Sequence, residues 1–213
     1  MRTSVIIALT ALSLIGCSHS PTAPSTTTST VSVPVISAAI SGVVMEGTRP
    51  LAGVTVDRGF APGTWEVVTD ANGAFQLPGL GSPEEWLRAY KDGYAQPCAT
   101  HITGNGPFTV QMVSRAVLTS TPLSSPGGFR TVSGVVRQMT TDTLQGVEGA
   151  VVAFEPDLNN NEFNAAYTFT DSSGRFTLCG LPQDAVVIEA QTGRWARATV
   201  PSDQTYVELD VQP

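Results

Sequence analysis

Thr69-Asp70-Ala71-Asn72-Gly73-Ala74-Phe75-Gln76-Leu77-Pro78-Gly79-Leu80 occurs a second time in this chain of 213 residues, as Thr170-Asp171-Ser172-Ser173-Gly174-Arg175-Phe176-Thr177-Leu178-Cys179-Gly180-Leu181. Seven of the twelve positions are identical. Each copy reads as strand, tight turn, strand. Asp70 and Asp171 are turn formers that can bond their own backbone, and the glycine supplies the positive φ that a Cβ resists. Phe and Leu two residues apart then point to one buried face. The repeat predicts a duplicated β domain, and turn geometry accounts for its polar residues without a catalytic role.

The surrounding strands repeat in the same order. Ile40-Ser41-Gly42-Val43-Val44 is echoed by Val132-Ser133-Gly134-Val135-Val136, and Gly53 to Val56 by Gly149 to Phe154. Trp86 to Tyr90 reads as a strand although Ser82-Pro83-Glu84-Glu85 could open a helix, because Asp92-Gly93 ends the run at once. Its counterpart is Val186 to Ala190. The closing strands are Phe108 to Met112 and Tyr206 to Val211, the latter half-exposed. The offset between copies grows from 92 residues at the first strand to 101 at the motif, so the second copy has longer loops, mainly at 138–149 and 156–164. Loops are where a divergent function would sit.

Abundant Gly and Pro, with few helix-favouring runs, also predict an all-β protein. We expect two tandem sandwiches, at residues 36–118 and 131–213, joined by a linker at 119–130. That linker is short enough to bring the domains into contact. Residues 17–35 are rich in Ser, Thr and Pro and form a tether that cannot bury a core. A tether of this length averages roughly 25 Å end to end and reaches about 60 Å when extended. His19 lies in it and is expected to be solvated.

Residues 1–16 carry Arg2 and then an apolar run from Val5 to Ile15, too short to span a bilayer as a mature helix. They end in Leu14-Ile15-Gly16-Cys17, which resembles the lipobox of bacterial lipoproteins. The resemblance implies a cleaved signal peptide, acylation of Cys17 with chains such as palmitate, and a stable membrane anchor. An ordinary secretory leader is the alternative. Ser18 after Cys17 implies, by the same resemblance, the outer membrane.

The order Ser-Gly-Val-Val, Gly-Val-x-Val, Thr-Asp-x-x-Gly-x-Phe-x-Leu-x-Gly-Leu resembles the carboxypeptidase regulatory-like domain in both copies. This implies a transthyretin-like or Ig-like β-sandwich of about seven strands. The family's frequent Pro-Gly-x-Tyr is replaced here by Gly79-Leu80 and by Gly180-Leu181-Pro182. Such domains ride on peptidases, surface proteins and lipoproteins alike, so the fold is implied more strongly than any activity.

Net charge is −7 with a single lysine, Lys91, which argues against a nucleic-acid groove. The acidity is concentrated in the second half: residues 131–213 carry eleven acids against four bases. The two histidines, His19 and His101, lack the spacing of a zinc peptidase, and no nucleophile elbow or phosphate loop occurs. No cofactor is expected. Asp157, Asn159 and Asn161 alternate like the start of a calcium loop. Glu162 stands at the usual glycine, however, so a solvated loop is the preferred reading. Sandwich domains of pilin and adhesin type use an early-strand lysine for isopeptide bonds; Lys91 lies late and none is expected.

Cys98 and Cys179 fall one in each copy. They either bridge, in which case the link joins the domains, or remain as buried thiols. Trp65, Trp86 and Trp195 could form a sugar-stacking platform. Small sandwiches need their aromatics inside, so packing is the preferred role for Trp86 and Trp195. The expected function is a non-enzymatic, membrane-anchored lipoprotein of the cell envelope, structural or interacting with an envelope protein or glycan. The alternatives are a carbohydrate-binding accessory protein and a hydrolase built on His101.

Overall fold

The computed structural model describes residues 39–58, 66–78, 85–104, 106–156 and 164–212. The first copy contains β1 (Ile40–Glu46), β2 (Arg49–Pro50), β3 (Thr55–Asp57), β4 (Val67–Val68), β5 (Ala74–Leu77), β6 (Glu85–Tyr90), β7 (Tyr94–Ala95), β8 (Thr100–Ile102), β9 (Phe108–Gln111) and β10 (Val113–Ser114). The second contains β11 (Arg130–Met139), β12 (Leu144–Gly146), β13 (Val151–Glu155), β14 (Ala166–Phe169), β15 (Arg175–Leu181), β16 (Val186–Gln191), β17 (Trp195–Val200) and β18 (Tyr206–Val211). One short 3₁₀ turn, Leu118–Ser120, lies between them. Among the described residues no helix is long and apolar enough to cross a membrane.

The copies share one topology, an all-β sandwich. In the first, β2-β1-β5 forms one sheet with β9 added parallel to β1, and β4-β3-β6-β8 forms the other. In the second, β12-β11-β15 carries β18 parallel to β11, opposite β14-β13-β16-β17. Alternation drives burial. Every second residue of β11 from Arg130 to Val136 is buried, as are Phe75 and Leu77 of β5. The first core gathers Ile40, Val44, Val56, Phe75, Leu77 and Leu87. The second gathers Val132, Val136, Phe154, Phe176, Leu178 and Ile188.

The repeated motif sets both registers. Asp70 Oδ1 accepts the N–H of Asn72 at 2.8 Å and of Ala74 at 2.9 Å. Asp171 Oδ1 does the same for Ser173 at 2.8 Å and Arg175 at 2.9 Å. Gly73 and Gly174 close the turns at φ of 70° and 79°. The motif phenylalanines lie opposite the glycines of the Ser-Gly-Val-Val strands: Gly42 faces Phe75 and Gly134 faces Phe176. A Cβ on Gly42 would stand 2.6 Å from the Phe75 ring, and on Gly134 2.7 Å from the Phe176 ring. The carbonyls of Phe108 and Val207 on the neighbouring parallel strands come closer still, so ring and backbone together require glycine in both halves.

Two details depart from the sequence reading. Arg130, expected at the end of the linker, begins β11 and is only 6 % exposed. Its guanidinium donates to the carbonyls of Pro182, Asp184, Val200, Pro201 and Gln204, tying the loops at one end of the second sandwich. Residues 119–129 of the linker are exposed or half-buried, yet the segment is held by a buried residue just before it and by a hydrogen bond along it. Leu118 is buried beside Ala95, Val113, Ala153 and Tyr167, and the Ser125 hydroxyl accepts the N–H of Gly180 at 2.9 Å. Val33–Pro213 is accordingly one compact unit.

Candidate functional site

The junction between the halves is built by the segment that follows β7. In the second copy the chain after Gly193 returns as β17 and pairs with β16 along six residues. In the first, Pro97 supplies no N–H for a ladder, and Gln96 to Ala99 leaves its own sandwich instead. Tyr167 donates its N–H to Gln96 O at 2.8 Å, Cys179 donates to Pro97 O at 2.9 Å, and Ala99 donates to Cys179 O at 2.8 Å. Gln96 is fully buried. Its side-chain oxygen accepts from Ala89 N at 2.6 Å, and its amide donates to Leu87 O at 2.9 Å and Ala165 O at 3.3 Å. One side chain therefore satisfies backbone from both halves, as a buried amide must.

Cys98 and Cys179 form a disulfide across this junction, with Cα atoms 4.2 Å apart. Of the two alternatives left open by the sequence, the structure contains the bridge. Gly180 follows it at φ 69°, where a Cβ would meet the backbone of Ala99. Glycine is thus required for the approach of the two chains, a role its place in the repeated motif does not disclose.

Trp86 also belongs to the junction. Its ring meets Phe154 of the second half edge-on at 5.4 Å, and His101 lies 4.8 Å away with Phe129 beyond at 5.9 Å. Packing is therefore the role of Trp86, as expected. For Trp195 the packing expectation is corrected: it is 59 % exposed on the edge strand β17. Trp195 pairs with Gln191, which pairs with Val151, whereas Trp86 sits at Phe154, three residues further along β13. That is about 10 Å of strand, so these two tryptophans do not share a platform. Trp65, the calcium candidates Asp157, Asn159 and Asn161, and the lipidation candidate Cys17 lie outside the described residues.

His101 lines a cleft of about 490 Å³ with Glu155 and Asp184. Among the described residues its lining carries no serine, threonine or cysteine that could act as nucleophile. The imidazole is held in ring contacts with Trp86 and Phe129. Glu155, 2 % exposed, is engaged by Arg197, and Glu189 stands beside them. Burial, followed by the charge of Glu155, pushes the Glu189 carboxyl up to about 7. Oε1 of Glu155 is buried without a hydrogen-bond partner among the described residues. Among the described residues no group of three or more His, Cys, Asp or Glu side chains could hold a metal ion.

A second cleft, of about 590 Å³, opens where β6 and the turn after it meet β14, with walls from both halves. Arg88 there binds Asp57 at 2.9 Å. Tyr90 donates its hydroxyl to Asp92 at 2.6 Å, and that hydrogen bond raises its phenol above the ordinary range. Arg115 lies 3.8 Å over the Phe169 ring. Burial pushes the Tyr167 phenol up as well; its hydroxyl lies 3.4 Å from Ala89 O and its ring meets Phe169 edge-on. Lys91 donates to Ala52 O. Nothing in the sequence nominated this cleft. Its walls come from distant positions, such as Tyr90 and Phe169, 79 residues apart, and only the junction brings them together.

No known family matches the chain, and no curated protein matches it. Solved structures similar to it include the Streptococcal ancillary pilin, at 13 % identity over 83 % of this chain and 62 % of that one, with a TM-score of 0.28. GBS52, the minor pilin of Streptococcus agalactiae, is 13 % identical over 83 % of this chain and 97 % of its own, at 0.28. The shaft pilin SpaA from Lactobacillus rhamnosus GG is 14 % identical over 83 % of this chain and 96 % of its own, at 0.29.

Proposed function

We propose that this chain is a non-enzymatic interaction module of the cell envelope, anchored through lipid on Cys17. A tether of residues 17–35 carries a pair of carboxypeptidase regulatory-like sandwiches that act as one body toward an envelope protein or glycan. The observation that carries this reading is the Cys98–Cys179 disulfide. Disulfides persist in oxidising compartments, so the bridge supports export independently of the leader-like sequence at residues 1–17. A bridged, hydrogen-bonded junction also favours a role in presenting a fixed surface over one that needs hinged halves.

The non-enzymatic part rests on the use the fold makes of its most reactive side chains. His101 is packed against the rings of Trp86 and Phe129, Asp70 and Asp171 cap turns, and two cysteines are joined. The anchor is tested by fractionating cells that produce the wild type and Cys17→Ser. The wild type should sediment with membranes and incorporate labelled palmitate, and the variant should do neither. A Cys17→Ser protein that still sediments with membranes contradicts the lipid anchor.

A further inference from the structure

The cleft between β6 and β14 has the chemistry of a saccharide site, and three observations converge on it. The first is a fixed aromatic surface. Tyr90 is 55 % exposed, yet its hydroxyl is held by Asp92 at 2.6 Å, so the ring stands as a flat face at the cleft. Apolar faces of sugar rings stack on such surfaces.

The second is an unsatisfied acceptor. Asn164 lines the cleft, and its side-chain oxygen is buried with no hydrogen-bond partner among the described residues. A buried polar atom without a partner costs about 1–3 kcal/mol and calls for an occupant. A hydroxyl both donates and accepts, so it serves either orientation of the amide. A simple anion has no donor to offer.

The third is a pair of cations. Lys91 and Arg115 both line the cleft, and neither lies within ion-pair distance of a carboxylate among the described residues. Three acids line the same cleft, Asp57, Glu66 and Asp92, of which Asp57 is held by Arg88 and Asp92 accepts from Tyr90, so its lining is balanced in charge within a chain of net charge −7. Arg115 is pre-oriented over Phe169, which leaves its planar fork ready for a carboxylate. Two cations in an acidic protein do not suit a polyphosphate, which would need many more.

We propose that this cleft binds a carboxylate-bearing oligosaccharide. Tyr90 stacks on a sugar ring, Asn164 takes a ring hydroxyl, and Lys91 with Arg115 hold the carboxylate. The volume, about 590 Å³, falls within the roughly 300–1,000 Å³ of small-molecule clefts. The walls come from both halves, and the junction holds them in place before ligand arrives, which lowers the ordering cost of binding. The proposal rests on the reading of the chain as an interaction module and names the ligand of one of its surfaces.

The test is calorimetric titration of the full-length protein with trigalacturonate, with neutral cellotriose, and with a capped glutamate tripeptide. Trigalacturonate should bind with a dissociation constant of about 1 mM or tighter, and cellotriose about tenfold more weakly. Arg115→Gln should remove most of that tenfold preference. Tyr90→Ala should weaken both sugars about tenfold, whereas Tyr206→Ala, equally exposed but on β18, should change neither. Tyr90 and Arg115 are surface side chains, so unchanged thermal melts will show that the variants remain folded. The proposal is overturned by no heat from either sugar, by binding of the peptide alone, by equal affinity for cellotriose, or by affinities indifferent to Tyr90→Ala and Arg115→Gln. Failure here with the membrane fractionation intact removes the ligand and leaves the module. Loss of membrane association with sugar binding intact removes the anchor and leaves the ligand.

Discussion

Cys98 and Cys179 lie 81 residues apart and are bonded across the junction of two sandwiches, with backbone hydrogen bonds on either side of the bridge. The bond therefore closes a loop that spans the end of one domain and half of the next. In the chain-entropy account a loop of that length restricts the unfolded state by about 4–5 kcal/mol. Replacing both cysteines by serine should lower unfolding stability by about 3 kcal/mol in urea titrations. The oxidised protein should melt in one transition. Two separate transitions in the oxidised protein would contradict the shared junction.

Arg130 should be the most sensitive single position outside the two cores. Its guanidinium donates to five carbonyls while itself 6 % exposed, so truncation removes the donor from two loops at once, β15–β16 and β17–β18. Arg130→Ala should cost about 3 kcal/mol or more, and Arg130→Lys should recover only part, because an ammonium cannot reproduce the planar fork. Chemical denaturation of the three proteins reads this directly.

Gly134 and Phe176 should behave as a coupled pair. Gly134→Ala drives a methyl into the Val207 carbonyl and the Phe176 ring and should destabilise by about 1–3 kcal/mol. Phe176→Leu relieves only the ring contact, so the double variant should lose somewhat less than the sum of the single changes and stay less stable than Phe176→Leu alone. Gly42 with Phe75 should repeat the result in the first half. Additive losses would show that the ring does not rest on the glycine.

Glu189 should give the protein a pH dependence opposite in sign to that of an ordinary surface carboxylate. Its folded pKa of about 7 lies above the unfolded value, so the folded state holds the extra proton between about pH 4.5 and 7. Stability should fall as pH rises through that window. Glu189→Gln removes the titrating charge beside Glu155, and should flatten this slope and raise stability at pH 8. Asp171 works the other way. Its burial opposes ionisation, but the hydrogen bonds from Arg175 and Ser173 outweigh that and hold the carboxyl below its usual range. Its contribution is present above the unfolded pKa and is lost as pH falls through the folded one. Urea titrations from pH 3 to 8 on wild type, Glu189→Gln and Asp171→Ala separate the two.

The features legible in the sequence are those carried by local geometry. Asp70, Gly73 and their counterparts announce a turn because the interactions that make it lie within five residues. Phe75 and Leu77 announce a buried face because strand period alone decides it. Thr69 was harder. It is conspicuous in the repeat, but its hydroxyl spans Val54 N and Leu51 O, partners fifteen and eighteen residues away, and Thr170 does the same with Ala150 and Val147. Arg130 looked like a linker residue because its five acceptors are backbone carbonyls, which leave no side-chain pattern. The cleft at Tyr90 and Phe169 was invisible for the same reason: its residues share no strand, and only the departure of Gln96-Pro97-Cys98 toward the second half places them together. Trp195 was misjudged because an edge strand leaves one face open to solvent, which the repeat pattern does not encode.

The central claim is that the two sandwiches tumble as one body. Nitrogen-15 relaxation on the intact chain measures this most directly. The account predicts that the amides of β11 to β18 and those of β1 to β9 fit one rotational diffusion tensor under oxidising conditions. Two distinct tensors, with the second half reorienting independently of the first while the disulfide is intact, would contradict it.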